Sequence, residues 1–268
     1  MKKSKIKYWI GLILFSVVSS MGMIQKQVDA AVSHQQPLRV LFIGNSYTYV
    51  NDLPWLTQQL SISARETRRL ETEMVTVGGA TLKSNWERGE ALKRIQNSRW
   101  DYVVLQEQST LPISDPKVMY EYARLFDAEI KRVNARTVFY LTWARENRPQ
   151  TQQILTDSYM KIAKELGAEV APVGLAWQKV QEENPKLNLY YPDQSHPSPI
   201  GSYVAACVFY AKFYEKNPVG LSRRIYSTQF GTPQEGNKIR LESLSEIDAA
   251  IIQNLAWYVV SKMWSSQS

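Results

Sequence analysis

Five short apolar runs, each followed by a longer stretch with helical spacing, constrain this chain more than any other feature. The runs are Leu38–Gly44, Leu70–Val77, Asp101–Gln108, Thr137–Trp143 and Ala168–Val173. Between and after them lie segments with apolar residues three and four apart: Leu53–Glu66, Leu82–Gln96, Pro116–Val133, Gln150–Leu166, Pro199–Tyr214 and about Ser245–Met263. A near-continuous apolar strand followed by an amphipathic helix is the unit of a parallel sheet covered on both faces. The chain is therefore expected to be α/β, with a five-stranded parallel sheet. Leu221–Leu241 breaks the alternation and reads as an irregular or hairpin insertion. No repeat or low-complexity linker divides residues 31–268, which read as one domain.

The first thirty residues are expected to lie outside that domain. Lys2, Lys3, Lys5 and Lys7 form a positive segment, Trp9–Val18 is apolar, and Val28-Asp29-Ala30 ends on a small residue. That is the layout of a secretory signal peptide, with cleavage near Ala30. The competing reading is an N-terminal membrane anchor, for which the run is short, since a spanning helix needs about 20 residues. No cysteine lies near the cleavage site to carry a lipid. Secretion, with no membrane insertion after cleavage, is the expectation.

Removing that segment changes the charge argument. The chain carries +7, but residues 1–30 hold five lysines and one aspartate, so the remainder carries +3. So mild an excess gives no case for a nucleic-acid partner. The single cysteine, Cys207, lies in the apolar stretch "YVAACVFYA" and reads as a small buried hydrophobe.

In an open parallel sheet, ligands bind at the carboxyl ends of the strands. The residues placed there are Gly44, Asn45, Ser46 and Tyr47 after the first run, and Gly78 and Gly79 after the second. Gln106, Glu107, Gln108 and Ser109 follow the third, and Trp143 and Arg145 the fourth. "YPDQSHPSPIGSY" adds Asp193 and His196. Serine, histidine and aspartate are the parts of an activated nucleophile, its base and the group that orients the base.

The histidine count narrows the choice. Only His34 and His196 exist, and His34 lies close to the expected new N-terminus. If a histidine does chemistry, it is His196, with Asp193 three residues before it. Two histidines and one cysteine also exclude a histidine-rich or thiolate metal site. Each residue has a plainer reading. His196 can be a hydrogen-bonded residue at a helix start, Ser46 a cap or turn serine, and Gly78-Gly79 a strand-ending turn. Glu107 reads as a strand-end or surface carboxylate. Against the plain reading of Ser46 stands Gly44, which permits a tight turn that would aim the Ser46 amide at a ligand. The glycine pair and a carboxamide from Gln106 or Gln108 could complete an oxyanion hole.

"IGNSYT", "VGGATL" and "DQSHPS", in this order, resemble the serine, glycine and aspartate–histidine blocks of SGNH (GDSL-type) hydrolases. The resemblance spans about Leu38–Tyr214. It implies a flavodoxin-like three-layer α/β/α sandwich. Asn45 stands where the motif has aspartate, and either side chain can bond the turn. The third block departs further. A glycine–x–asparagine–aspartate stretch is replaced by Gln106-Glu107-Gln108-Ser109, which sets Gln108 on the asparagine position. "VLQEQS", "LTWAR", "PVG" and "HPSPIGSY" resemble the bacterial DUF4886 type.

The resemblance implies a catalytic set of Ser46, Asp193 and His196 and an acyl-enzyme that water resolves, with no cofactor. It implies an oxyanion hole from the amides of Ser46 and Gly79 with Gln108, and Gly78 and Gln106 as the alternates. Asn45, Trp143 and Arg145 are the expected substrate-binding residues, with Trp86 expected near the same edge. The expected substrates are small acyl esters, O-acetyl groups on glycans first. The competing readings are a lipid-ester or lysophospholipid hydrolase, an O-acyltransferase, and a glycan-binding protein without catalysis.

Overall fold

The strand β1, Leu38–Gly44, is buried along almost its whole length and hydrogen-bonds to a neighbour on each side. The computed structural model describes residues 35–228 and 238–265. The expected signal segment and His34 lie outside the described residues. Leu38–Glu66 and the chain from Leu70 onward form one compact unit; residues 35–37 and 67–69, which fall in another, carry no helix or strand.

Along the chain, β1 is followed by a helical turn at Ser46–Tyr49 and by α1 (Leu53–Ser63). Then come β2 (Leu70–Thr76), α2 (Leu82–Arg88), α3 (Glu90–Gln96), β3 (Tyr102–Leu105) and α4 (Pro116–Arg132). They are followed by β4 (Arg136–Tyr140), α5 (Gln152–Leu166), β5 (Glu169–Ala171), α6 (Val173–Glu183) and α7 (Pro199–Tyr214). The antiparallel pair β6 (Arg224–Thr228) and β7 (Lys238–Ser243) precedes α8 (Glu246–Ser265). The five main strands are parallel in the order β2-β1-β3-β4-β5. That is the flavodoxin-like order, and the three-layer expectation holds.

Strand alternation sorts the core into two layers. Val40, Phe42, Tyr102, Val104, Val138 and Tyr140 face the side covered by α1, α6, α7 and α8. Leu41, Ile43, Val103, Leu105, Phe139 and Leu141 face α2 to α5. A two-residue period with apolar side chains at both phases is what a doubly covered strand requires. α7 is apolar nearly all round and buried over most of its surface, as a helix walled in by neighbours must be. Cys207 is free and buried within it, as expected. Among the described residues no helix is long and apolar enough to cross a membrane.

Three expectations need correction. Leu82–Gln96 is two helices, because Gly89 adopts φ +73 and caps the first. The third run yields a strand only from Tyr102 to Leu105, which leaves Gln106–Gln108 beyond the sheet as a polar edge. The fifth run ends as a strand at Ala171, and Val173 begins α6, which was not expected at all. Its signal is present in the sequence: Val173, Ala176, Trp177 and Val180 repeat at helical spacing, and all four are buried.

Strand order positions the site. β1 lies between β2 and β3, and the chain leaves it toward one side before returning to the other. The carboxyl end of β1 is thus a switch point where the loops after β1, β2 and β3 splay around one crevice.

Candidate active site

The loop after β1 turns on Asn45. Its Oδ1 accepts from the Tyr47 amide at 3.1 Å, capping the turn that begins at Ser46. Its Nδ2 donates to Ala80 O at 2.8 Å, which ties the serine loop to the glycine loop. Asn45 lines the pocket, but both ends of its carboxamide are engaged with the protein, so its role is scaffolding rather than the expected substrate contact. Gly44 serves close approach. A Cβ built there would meet Gln106 Oε1 at 2.5 Å and Thr48 Oγ1 at 2.7 Å, so the strand stops on glycine to admit the Gln106 side chain.

Ser46 is half-buried, and its Oγ lies 2.9 Å from His196 Nε2. On the other side of the ring, Nδ1 bonds Asp193 Oδ2. Oδ1 of the same carboxylate accepts from the amides of Ser195 at 3.1 Å and His196 at 3.0 Å. Partial burial works against ionisation of Asp193, but the hydrogen bonds from His196 and the two amides prevail and hold its pKa below the ordinary aspartate value. The loop carrying both residues is closed by bonds from Tyr191 N to His196 O and from Gln194 N to Tyr191 O, each 2.9 Å. α7 then starts under a Ser198 cap with Pro199 in its first turn.

The glycine loop and the third block flank this pair. Gly79 adopts φ +68, a conformation glycine takes without strain. Gly78, Gly79, Gln108 and Ser109 line a cavity of about 320 Å³ together with Ser46 and His196. Among the described residues nothing accepts from the amides of Ser46, Gly78 or Gly79. The two glutamines divide sharply. Gln106 is fully buried; its Oε1 accepts from Asn45 N and Thr48 Oγ1, and its Nε2 donates to Asn45 Oδ1 and Glu107 O. It has no donor left for a ligand, and the expectation that it could serve the oxyanion is corrected. Gln108 Oε1 accepts from Thr110 and Leu111, which points its Nε2 the other way, toward Ser109 Oγ at a weak 3.4 Å. That amino group is free to donate into the cavity.

Sequence reasoning misplaced several neighbours. Glu107, read as a strand-end or surface carboxylate, lies just past the end of β3 but is fully buried rather than at the surface, accepting from Leu82 N at 3.1 Å and Gln108 N at 2.6 Å. Burial pushes its pKa up to about 7, against the pull of the Gln108 and Leu82 amides. Trp143, expected to meet substrate, is 1% exposed. It stacks between Tyr47, at 4.5 Å, and Trp177, at 3.9 Å, beneath the site. Trp86 packs on Phe126 in the other core layer and does not line the cavity. Arg145 does line it. Two residues had no role assigned from the sequence. Tyr47 OH meets Ser195 Oγ at 2.7 Å, and Trp143 Nε1 donates to Ser195 O at 3.0 Å. Their only sequence signal is adjacency, Tyr47 to Ser46 and Ser195 to His196.

Among the described residues no group of histidine, cysteine or carboxylate side chains could hold a metal ion. A hydroxyl, an imidazole and a carboxylate in series, with free amides nearby, can attack a carbonyl and stabilise the oxyanion formed.

No protein-family model and no curated protein matches the chain. Solved structures do. A protein described as a candidate SGNH hydrolase, from Slackia heliotrinireducens, is 26% identical with a TM-score of 0.56, over 65% of this chain and 98% of that one. A DUF4886 family protein from Bacteroides uniformis ATCC 8492 shares the fold at 19% identity and TM-score 0.60, over 84% of this chain and 95% of that one. An acetyl xylan esterase shares the fold at 15% identity and TM-score 0.55, over 65% and 98%.

Proposed function

The chain belongs to the SGNH/GDSL superfamily of carboxylic ester hydrolases, and from that premise we propose that it is a secreted serine esterase of the DUF4886 type that removes small acyl groups, acetyl first, from carbohydrate hydroxyls. The observation that carries this reading is the His196 ring, with Nε2 2.9 Å from Ser46 Oγ and Nδ1 on Asp193.

His196 takes the Ser46 proton as Oγ attacks the ester carbonyl carbon. The tetrahedral intermediate collapses, the alcohol leaves with the proton from His196, and an acyl-Ser46 remains. Water, deprotonated by His196, attacks that ester, and the acid departs as the proton returns to Ser46. Asp193 keeps the Nδ1 proton in place and stabilises the imidazolium. The amides of Ser46 and Gly79 and the Gln108 amino group donate to the oxyanion. Removing one such donor costs about 10²–10³-fold in turnover.

The cavity size supports a short acyl group: about 320 Å³ is at the small end for ligand sites, which run from about 300 to 1,000 Å³. The acetyl xylan esterase likeness supports a sugar ester. The basic, apolar and small-residue order of residues 1–30 supports export.

The test is a panel of p-nitrophenyl esters from acetate to long acyl chains, with and without a sugar acceptor, alongside acetate release from O-acetylated polysaccharides. Acetate release above all is expected. Preference for long chains would move the assignment to lipid esters, and acyl transfer to the acceptor would make it a transferase. No turnover and no labelling of Ser46 by a fluorophosphonate would leave a glycan-binding protein.

A further inference from the structure

Arg145 stands in the wall between two cavities. One is the Ser46 pocket; the other, of about 260 Å³, is lined by Thr110, Ile113, Ala144, Arg148 and Leu155 among others. Ser109 and Arg145 belong to both walls, so the two cavities meet there. No aspartate or glutamate lines either one.

The charge in that wall is unanswered. Arg39, Arg124, Arg132 and Arg136 each pair with a glutamate. Among the described residues neither Arg145 nor Arg148 has such a partner. Arg145 Nη2 donates to Ser109 Oγ at 3.1 Å, and its Nε is buried with no acceptor. A guanidinium that lines a cavity and has no carboxylate partner keeps its charge available to an anion entering that cavity.

We propose that the cavity beside the Ser46 pocket is a subsite for a carboxylate carried by the substrate, held by Arg145 at the shared wall and by Arg148, which lines the same cavity from the same turn. This deepens the esterase reading and rests on it for what happens to the bound molecule: the ester at Ser46 is cleaved, and the carboxylate is a spectator. The guanidinium is a planar fork of donors that matches the two oxygens of a carboxylate. Ile113, Ala144 and Leu155 offer apolar walls to the carbon frame that bears it. The anion can sit on the acyl part or on the alcohol part, for instance an acidic sugar.

Two substrate comparisons test it. kcat/KM is measured for p-nitrophenyl acetate against mono-p-nitrophenyl succinate, and for acetylated methyl glucuronate against acetylated glucuronate. The first pair puts the charge on the acyl side and the second on the alcohol side. In at least one pair the anionic ester is expected to be favoured about tenfold or more. Arg145→Gln and the exposed-side variant Arg148→Gln should each cut that ratio by about five- to tenfold. A wild-type ratio near one in both pairs, or ratios unchanged in both variants, overturns the subsite.

A binding measurement separates this inference from the hydrolytic one. Calorimetry of Ser46→Ala with succinate and with glucuronate should show binding of at least one, lost in Ser46→Ala/Arg145→Gln. Arg145-dependent binding with no ester turned over keeps the subsite and removes the hydrolase reading. Turnover of neutral esters with no anion preference and no binding keeps the hydrolase and removes the subsite.

Discussion

Tyr47 OH and Ser195 Oγ meet at 2.7 Å beneath the cavity, and each residue is the sequence neighbour of one member of the Ser46–His196 pair. The contact lies in a buried stack. Trp143 lies parallel to Tyr47 at 4.5 Å, and its indole donates to Ser195 O. The distance between a serine after β1 and a histidine before α7 is thus held by a rigid aromatic column rather than by two loops alone. Reacting groups held in place beforehand lose little entropy on reaching the transition state.

Tyr47→Phe keeps the ring and its stacking but deletes this bond. It should lower kcat on p-nitrophenyl acetate by about two- to tenfold, the worth of one neutral hydrogen bond, with little change in KM. An unchanged kcat would show that the aromatic stack alone sets the distance.

Ser46→Ala and His196→Ala should each lower kcat by at least about 10⁴-fold, with circular dichroism unchanged. His34→Ala should retain activity. Loss of activity in the His34 variant, with His196→Ala active, would reverse the assignment of the base.

The two glutamines should fail in different ways. Gln108→Ala should lower kcat by about 10²-fold with KM little changed, because its amino group donates mainly to the transition state. Gln108→Glu should do at least as much harm, since a carboxylate repels the developing charge. Gln106→Ala strands Asn45 N and Thr48 Oγ1 in the core. It should destabilise the fold by about 2–4 kcal/mol, read by urea unfolding. Wild-type kcat in Gln108→Ala would remove that residue from the oxyanion hole.

Glu107 gives a pH signature. Its carboxyl is held at about 7 in the folded chain, by burial against the pull of the Gln108 and Leu82 amides, while the ordinary value is 4.5. Between those values the folded state keeps a proton that the unfolded chain has lost, so stability falls as pH rises through the window. Glu107→Gln has nothing to titrate there. Its loss of stability between pH 5 and pH 8 should be smaller than the wild type's by about 3 kcal/mol. Urea unfolding at the two pH values measures it, and identical pH dependence in both proteins would contradict the shift.

What was legible in the sequence was local or countable. Strand and helix periodicity marks which residues pack on a sheet, so the five strands and the start of α7 at Pro199 could be read directly. His196 stood out because only two histidines exist, and Asp193 because it lies one turn of chain away. Tertiary structure decided what depends on partners distant in sequence. The strand order set the glycine loop and the Gln106–Gln108 edge on opposite sides of β1. Two glutamines two residues apart are equivalent as sequence, yet one meets Asn45 and Thr48 in the core and the other faces the cavity. The same holds for Trp143 and Arg145, both read as substrate-binding. The indole found a stack and a carbonyl to bury itself against, whereas the guanidinium found no anion and was left at the cavity wall. Periodicity reports whether a side chain turns inward; only the packed fold determines whether a partner waits there.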